Sequence, residues 1–345
     1  MNTPIRIGVI GGNFASSVHV PAFKSDPRCQ INGIVASSAE RSEKLATEHR
    51  LPKIYGHWKE IIDDKEIDAV TIAVPPSLQP DIAIAAFANG KAVFGEKPLA
   101  ATLEQAQKMH QAALNASTAH LVNFNLAALA PWIKVKEIID TGGIGRLSHI
   151  VVQYISETPP NLLINSWRAN KGQGSGTLYD ILSHFFHALE WYAGPVNRLS
   201  ASLFSTLKNN PNGDTFDIIG LEFASGIPAS ITVSRTTLFG MGYRIEFSGE
   251  EGTLILACST KDIRGFQLFL GTRKSKQLEL ISALEKPNEN PLQSRIEAVS
   301  ILATRFLDWI ETGIPEVPSF EEGLRVQRLL DAAYRSNEQA KWVTV

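Results

Sequence analysis

Ile5-Arg6-Ile7-Gly8-Val9-Ile10-Gly11-Gly12-Asn13-Phe14-Ala15-Ser16 opens the chain with a short apolar strand that runs straight into a glycine turn. A strand-to-helix turn of this kind gathers main-chain N–H groups and a helix N-terminus at one point, which suits a pyrophosphate. In the dinucleotide fingerprint three glycines permit the tight turn, close approach of the phosphates and close packing of the helix. Here Gly11 takes the first place, while Asn13 stands at the second and Ser16 at the third. Asn tolerates positive φ better than most residues, so Asn13 is expected to preserve the turn. The same residues also suit a plain strand-to-helix turn that binds nothing.

Working outward, short apolar strands alternate with helical patterns from residue 5 to about 123. Strands are expected over 5–10, 31–36, 53–55, 69–74, 92–95 and 119–123, and helices over 39–49, 79–89 and 103–116. This alternation predicts an α/β half built on a doubly wound parallel sheet. Thr102 reads as an N-cap, and Gly90 as the left-handed residue that ends a helix. A helix over 131–141, stopped by Gly142-Gly143, leads into period-2 segments at 147–158, 196–206, 215–224, 227–237, 243–248 and 253–257. With a helix over 166–191 and a last one over 320–339, the second half reads as α+β, on a large, mostly antiparallel open sheet. The expected domains are therefore 1–123 for dinucleotide binding and 124–345 for substrate binding and oligomerisation. One face of a large open sheet needs cover, so a homo-oligomer through that sheet is expected.

Composition narrows the function classes. The 345 residues carry 44% apolar and 20% charged side chains, the balance of an ordinary globular protein. With 33 basic and 35 acidic residues the formal charge is −2, and no basic stripe or one-sided charge excess points to nucleic acid or a membrane surface. Two cysteines, Cys29 and Cys258, lie far apart and suit a reducing compartment. The amino terminus enters a strand pattern at once, without the charged and apolar regions of a secretory signal, so a cytoplasmic location is expected.

Three further segments carry chemistry. Glu96-Lys97-Pro98 follows the buried run Ala92-Val93-Phe94, which puts Lys97 at the carboxyl edge of the parallel sheet, where such folds bind ligands. Gly172-Gln-Gly174-Ser-Gly176-Thr-Leu-Tyr-Asp180-Ile-Leu-Ser-His184-Phe-Phe-His187 spaces Asp180 and His184 at i, i+4, so on an α-helix the carboxylate can orient the imidazole. Hydride transfer at an alcohol carbon needs a group that moves the hydroxyl proton, a task for His184, while Lys97 can hold the oxygen. His184 and His187 lack a third ligand at metal-binding spacing, so no metal is expected. After the second strand, Ala36-Ser37-Ser38 and Arg41 stand where an NAD site usually has an acidic residue. Hydroxyls and a guanidinium accept a 2′-phosphate, which favours NADP(H) over NAD(H); Ser38 can equally cap the next helix, with Arg41 in solvent.

These residues resemble the Gfo/Idh/MocA family of NAD(P)-dependent oxidoreductases over nearly the whole chain. The matching pieces are Ile7 to Gly11, His19-Val-Pro-Ala22, Ala73-Val74-Pro75-Pro76, Glu96-Lys97-Pro98, Gly142 to Gly145, Trp167-Arg168, Asp180 to His184, Gly249 to Thr253 and Glu322 to Ser336. The resemblance implies a Rossmann fold for the first half and a catalytic group of Lys97, Asp180 and His184, with His184 the acid/base. It implies that Trp167 and Arg168 approach the cofactor and that Val74, Pro75 and Pro76 line the nicotinamide path. The cofactor-binding set is then Gly11, Asn13, Phe14, Ala15, Ser37, Ser38, Arg41, Val74, Pro75, Pro76, Gln79, Glu96, Lys97, Trp167 and Arg168. Substrates implied are sugars, inositols and related polyols, with other small carbonyl compounds as further members. Gln79 stands where a histidine is frequent, Leu126-Ala127 where arginine is common, Leu182 where glycine is, and His187 replaces a common aspartate, which gives a less polar pocket edge. A non-catalytic dinucleotide-binding sensor and a redox-neutral enzyme that regenerates its NAD are the other readings this scaffold allows.

Overall fold

The computed structural model describes residues 3–164, 166–169, 174–208, 213–259, 262–283 and 291–345. Gly172 and Gln173 of the glycine-rich segment lie outside the described residues. The chain divides into two compact units, residues 1–125 with 295–327, and residues 126–294 with 328–345. The return of 295–327 to the first unit differs from the contiguous 124–345 domain expected from sequence. Its cause is aromatic packing: Phe306 meets Phe23 and Phe94 edge to face, and Phe320 meets Phe87 at 5.6 Å.

The first unit holds six strands: β1 (Ile5–Ile10), β2 (Cys29–Val35), β3 (Lys53–Ile54), β4 (Ala69–Ile72), β5 (Ala92–Gly95) and β6 (His120–Val122). Their order is β3-β2-β1-β4-β5-β6 and every pair is parallel. β1, β4 and β5 are almost wholly buried, which is why they read as apolar runs rather than alternating ones. The order reverses between β1 and β4, the place where doubly wound sheets open a crevice at their carboxyl ends. Helices Ala39–His49 and Leu103–Ala116 begin where expected, because Ser38 and Thr102 accept the N–H groups of Arg41 and Gln105. Gly90, at φ +70°, ends the helix Gln79–Ala88. β4 stops at Ile72 rather than 74, since Pro75 and Pro76 have no N–H to extend a ladder.

The second unit holds β7 (Leu147–Ile155), β8 (Val196–Phe204), β9 (Phe216–Phe223), β10 (Pro228–Ser234), β11 (Gly242–Gly249), β12 (Gly252–Cys258), β13 (Gln267–Thr272), β14 (Glu279–Ala283) and β15 (Val343–Thr344). They form one sheet in the order β14-β13-β12-β11-β7-β10-β9-β8-β15, antiparallel except where β7 meets β10. Ala229, Ile231 and Val233 of β10 alternate inward, as period 2 requires. Trp132 packs on Phe266, and the Tyr192 hydroxyl donates to the Trp132 carbonyl, seating helices Ala130–Asp140 and Ser183–Ala193 in this unit's core.

The single helix expected over 166–191 is instead a 3-10 turn (Trp167–Ala169), a π-helical turn (Leu178–Leu182) and the helix Ser183–Ala193. Gly174 and Gly176 sit at φ +64° and +80°, values foreign to a right-handed helix. Gly176 is also pressed against Asp214, where a Cβ would lie 1.9 Å from the carboxylate.

Candidate active site

The candidates fall into two groups, one on each unit. In the first, the ends of β1, β2, β4 and β5 present Gly11, Ala36, Ala73 and Glu96 along the carboxyl edge of one sheet. Gly11 adopts φ +133°, and a Cβ there would meet the Ala73 carbonyl at 2.3 Å. Only a glycine allows that close approach at the switch point, where doubly wound sheets take a dinucleotide, so the residues present fit one. Ala15 is buried, and the Phe14 ring stands edge-on to His19 at 5.4 Å.

Asn13 does not use positive φ, contrary to expectation. Its amide oxygen instead accepts the Arg41 guanidinium at 2.7 Å, and Arg41 also donates to the Gly12 carbonyl at 2.8 Å. Asn13 thus ties the glycine turn to the first turn of the helix that follows β2 rather than replacing a glycine's backbone. Ser16, in the third glycine place, is buried with its hydroxyl 2.8 Å from His49 Nε2. Ser38 spends its hydroxyl on the helix cap, while Ser37 is exposed beside it.

The Glu96-Lys97-Pro98 segment is held from both sides. Glu96 accepts from the Asn123 amide at 2.6 Å, from the main-chain N–H of Lys97 at 3.2 Å, and pairs with His19 Nε2 at 2.9 Å. His19 is fully buried, with Nδ1 2.7 Å from the Thr71 hydroxyl. On the opposite side the Gln79 amide oxygen accepts the Glu96 N–H at 2.7 Å. Its nitrogen donates to the carbonyls of Glu96, Leu99 and Pro98. Gln79, expected among the cofactor contacts, therefore has its amide committed to this main chain. Lys97 is half-buried, as are Val74 and Trp167; Pro75 is exposed and Pro76 buried. Thr71 and Asn123 escaped the sequence reading because their partners, His19 and Glu96, lie on separate elements. The matching signal was the polar character of two positions in or beside otherwise apolar strands.

In the second unit, Asp180 lies on the π-helical turn and His184 in the first turn of the following helix. Arg168 grips Asp180 with two hydrogen bonds, Nε to Oδ2 at 2.6 Å and a terminal nitrogen to Oδ1 at 3.0 Å. Arg235, buried just beyond β10, donates to the same Oδ2 and is itself placed by the Thr158 hydroxyl at 3.1 Å. Both oxygens of Asp180 are thus engaged by arginines, partners that the i, i+4 spacing with His184 did not point to. Burial works against the charge on Arg168, and the Asp180 carboxylate outweighs it, leaving the guanidinium pKa raised. The guanidinium also covers the Trp167 ring at 4.5 Å. Arg235 gave no sequence signal: it stands outside every motif, near the end of a strand.

Residues 5–124 match the family described as "Oxidoreductase family, NAD-binding Rossmann fold", and residues 132–255 match its GFO/IDH/MocA C-terminal domain. The chain belongs to the Gfo/Idh/MocA family. As a member it is an NAD(P)-dependent oxidoreductase. It is 26% identical over 387 residues to the levoglucosan dehydrogenase of Pseudarthrobacter phenanthrenivorans, covering 99% of this chain and 98% of that one. A solved levoglucosan dehydrogenase in complex with NADH and levoglucosan superposes with a TM-score of 0.88 at 25% identity, covering 99% of each chain. Two scyllo-inositol 2-dehydrogenases of Bacillus subtilis are also similar: one named for NADP(+), at 25% identity over 73% of this chain and 68% of its own, and one named for NAD(+), at 26% over 85% and 87%. This Gfo/Idh/MocA chain thus has relatives named for either dinucleotide.

Proposed function

We propose that this chain moves a hydride between a nicotinamide dinucleotide and the hydroxyl-bearing carbon of a sugar, a polyol or another small alcohol or carbonyl compound. In the oxidation the substrate C–H bond breaks toward the nicotinamide, which takes up the hydride, while the O–H proton leaves to the protein. Lys97 hydrogen-bonds that oxygen and stabilises its negative charge, and His184 accepts the proton. Asp180, clamped by Arg168 and Arg235, fixes the turn from which the His184 helix starts. The observation that carries the reading is the two-sided grip on Glu96-Lys97-Pro98 at the end of β5, which presents one lysine at the sheet edge that also bears the glycine turn. Catalysis rewards such fixed placement far more than simple binding does.

NADP(H) is the favoured cofactor on this reading, since Arg41 and the exposed Ser37 border the glycine turn and no carboxylate between Ala36 and Ser38 opposes a 2′-phosphate. We assign the unit of residues 1–125 and 295–327 to dinucleotide binding, that of 126–294 and 328–345 to substrate binding and assembly, and a homo-oligomer to the open sheet, where Phe204, Ile218 and Leu280 are about half exposed. The cytoplasm suits two free cysteines, one of them, Cys29, pushed up to about 12 by burial and then by Asp26. The test is fluorescence titration with NADPH and NADH, then mixing with levoglucosan, inositols and small ketones. Micromolar binding followed by nicotinamide turnover is expected; binding with no turnover on any of them would favour the sensor reading instead.

A further inference from the structure

Gln79 is the first residue of the helix Gln79–Ala88 and is 1% exposed. A buried amide that met no partners would cost a few kcal/mol, so where its groups go is informative. All of them go to one stretch of main chain. The oxygen accepts the Glu96 N–H at 2.7 Å, and the nitrogen shares its two hydrogens among the carbonyls of Glu96 at 2.7 Å, Leu99 at 2.9 Å and Pro98 at 3.2 Å. These contacts bracket residue 97 on both sides. Glu96 completes the frame from across the segment, accepting the Lys97 N–H while held by His19 and Asn123.

We propose that Gln79 is a positioning residue for Lys97, locking the main chain of the Glu96–Leu99 turn to a helix end so that the lysine side chain starts from a fixed point. The proposal rests on the reading of Lys97 as the oxyanion-binding group. The Gln79 amide is spent on this main chain, and on this proposal its effect passes through the lysine. Loss of such a frame displaces a reacting group by a fraction of an ångström to an ångström, which costs roughly tenfold to a hundredfold in turnover.

The experiment is a double-mutant cycle on the full chain with Gln79→Met, Lys97→Ala and the pair, using NAD(P)+ reduction by scyllo-inositol or levoglucosan and NADH affinity as readouts. The expected result is that Gln79→Met lowers kcat at least tenfold and leaves NADH affinity within twofold. On the Lys97→Ala background it should lower kcat no further. Multiplying losses in the double variant, or weakened NADH binding with unchanged kcat, would overturn the proposal while leaving Lys97 in place. Wild-type turnover in Lys97→Ala would overturn both the proposal and the reading beneath it. A second readout needs no substrate: hydrogen exchange across 92–99 should speed at least tenfold at the Glu96 amide in Gln79→Met, and in Gln79→Glu, which keeps the acceptor but loses the donors, the Glu96 amide should stay protected. Unchanged exchange at that amide in Gln79→Met would equally overturn the proposal.

Discussion

Arg235, at the end of β10, donates to the same Asp180 oxygen that Arg168 binds, so the carboxylate ahead of the His184 helix is shared between a sheet and a turn. Both Asp180 and Arg235 are buried, and removing one partner of a buried pair strands the other's charge. Arg235→Met should therefore destabilise the protein by about 3 kcal/mol, read from urea denaturation. Turnover should fall with it, even in conditions where the variant stays folded, because the π-helical turn loses its anchor. An unchanged midpoint would mean that Arg168 alone carries Asp180.

Arg41 offers a separable prediction on cofactor choice. Its guanidinium borders the glycine turn, bonded to the Gly12 carbonyl and the Asn13 amide oxygen. A charge-assisted bond to a 2′-phosphate contributes about 1.5–3 kcal/mol. Arg41→Ala should weaken NADPH binding at least tenfold and NADH binding less than threefold, measured by fluorescence titration. Equal losses for both would place Arg41 on a part of the dinucleotide common to the two.

Gly11 and Gly90 both have positive φ but differ in surroundings. A Cβ at Gly11 would collide with the Ala73 carbonyl, whereas one at Gly90 would meet nothing within 4 Å. Gly90→Ala should cost only about 1 kcal/mol of backbone strain. Gly11→Ala should abolish dinucleotide binding, by more than a hundredfold in titration, because the turn must open at the switch point. Binding retained within threefold would show that this turn does not cradle the cofactor.

His120 sets a pH window for stability. Burial first, and then repulsion from His110, lowers its imidazole to about 4, and its Nδ1 accepts the Phe320 N–H at 3.3 Å. In the unfolded chain a histidine titrates near 6.5, so between about pH 6.5 and 4 the unfolded state binds a proton that the folded state does not. The stability from this group is fully present above that window and is lost as pH falls through it, up to about 3 kcal/mol. His120→Gln should flatten the fall in melting temperature across that range; an unchanged slope would assign the loss to other groups.

The strands of the first unit were readable because burial on both faces makes them apolar runs between capped helices, as at Ser38, Gly90 and Thr102. The helix Pro291–Thr312 was missed, although Val299, Leu302, Phe306 and Leu307 repeat at helical spacing, since no cap residue stood out to announce it. β13 and the edge strands β14 and β15 were missed because short segments with one exposed face carry little pattern. At the site, Lys97 and the glycine turn were legible from their place after strands. The arginine partners of Asp180 were not, because they lie 12 and 55 residues away in sequence, beyond the reach of any local spacing rule. Nor could any local pattern show Gln79 reaching across to residues 96–99, a contact made only when a helix end meets the turn after β5.

The most direct measurement is single-turnover absorbance at 340 nm, with wild type, Lys97→Ala and His184→Ala each mixed with NADP+ or NAD+ and a polyol that reduces it. The account predicts that each variant binds the dinucleotide as wild type does and forms reduced nicotinamide more than tenfold more slowly, with the His184→Ala rate recovering as pH rises and hydroxide replaces the missing base. Wild-type rates in both variants would contradict it.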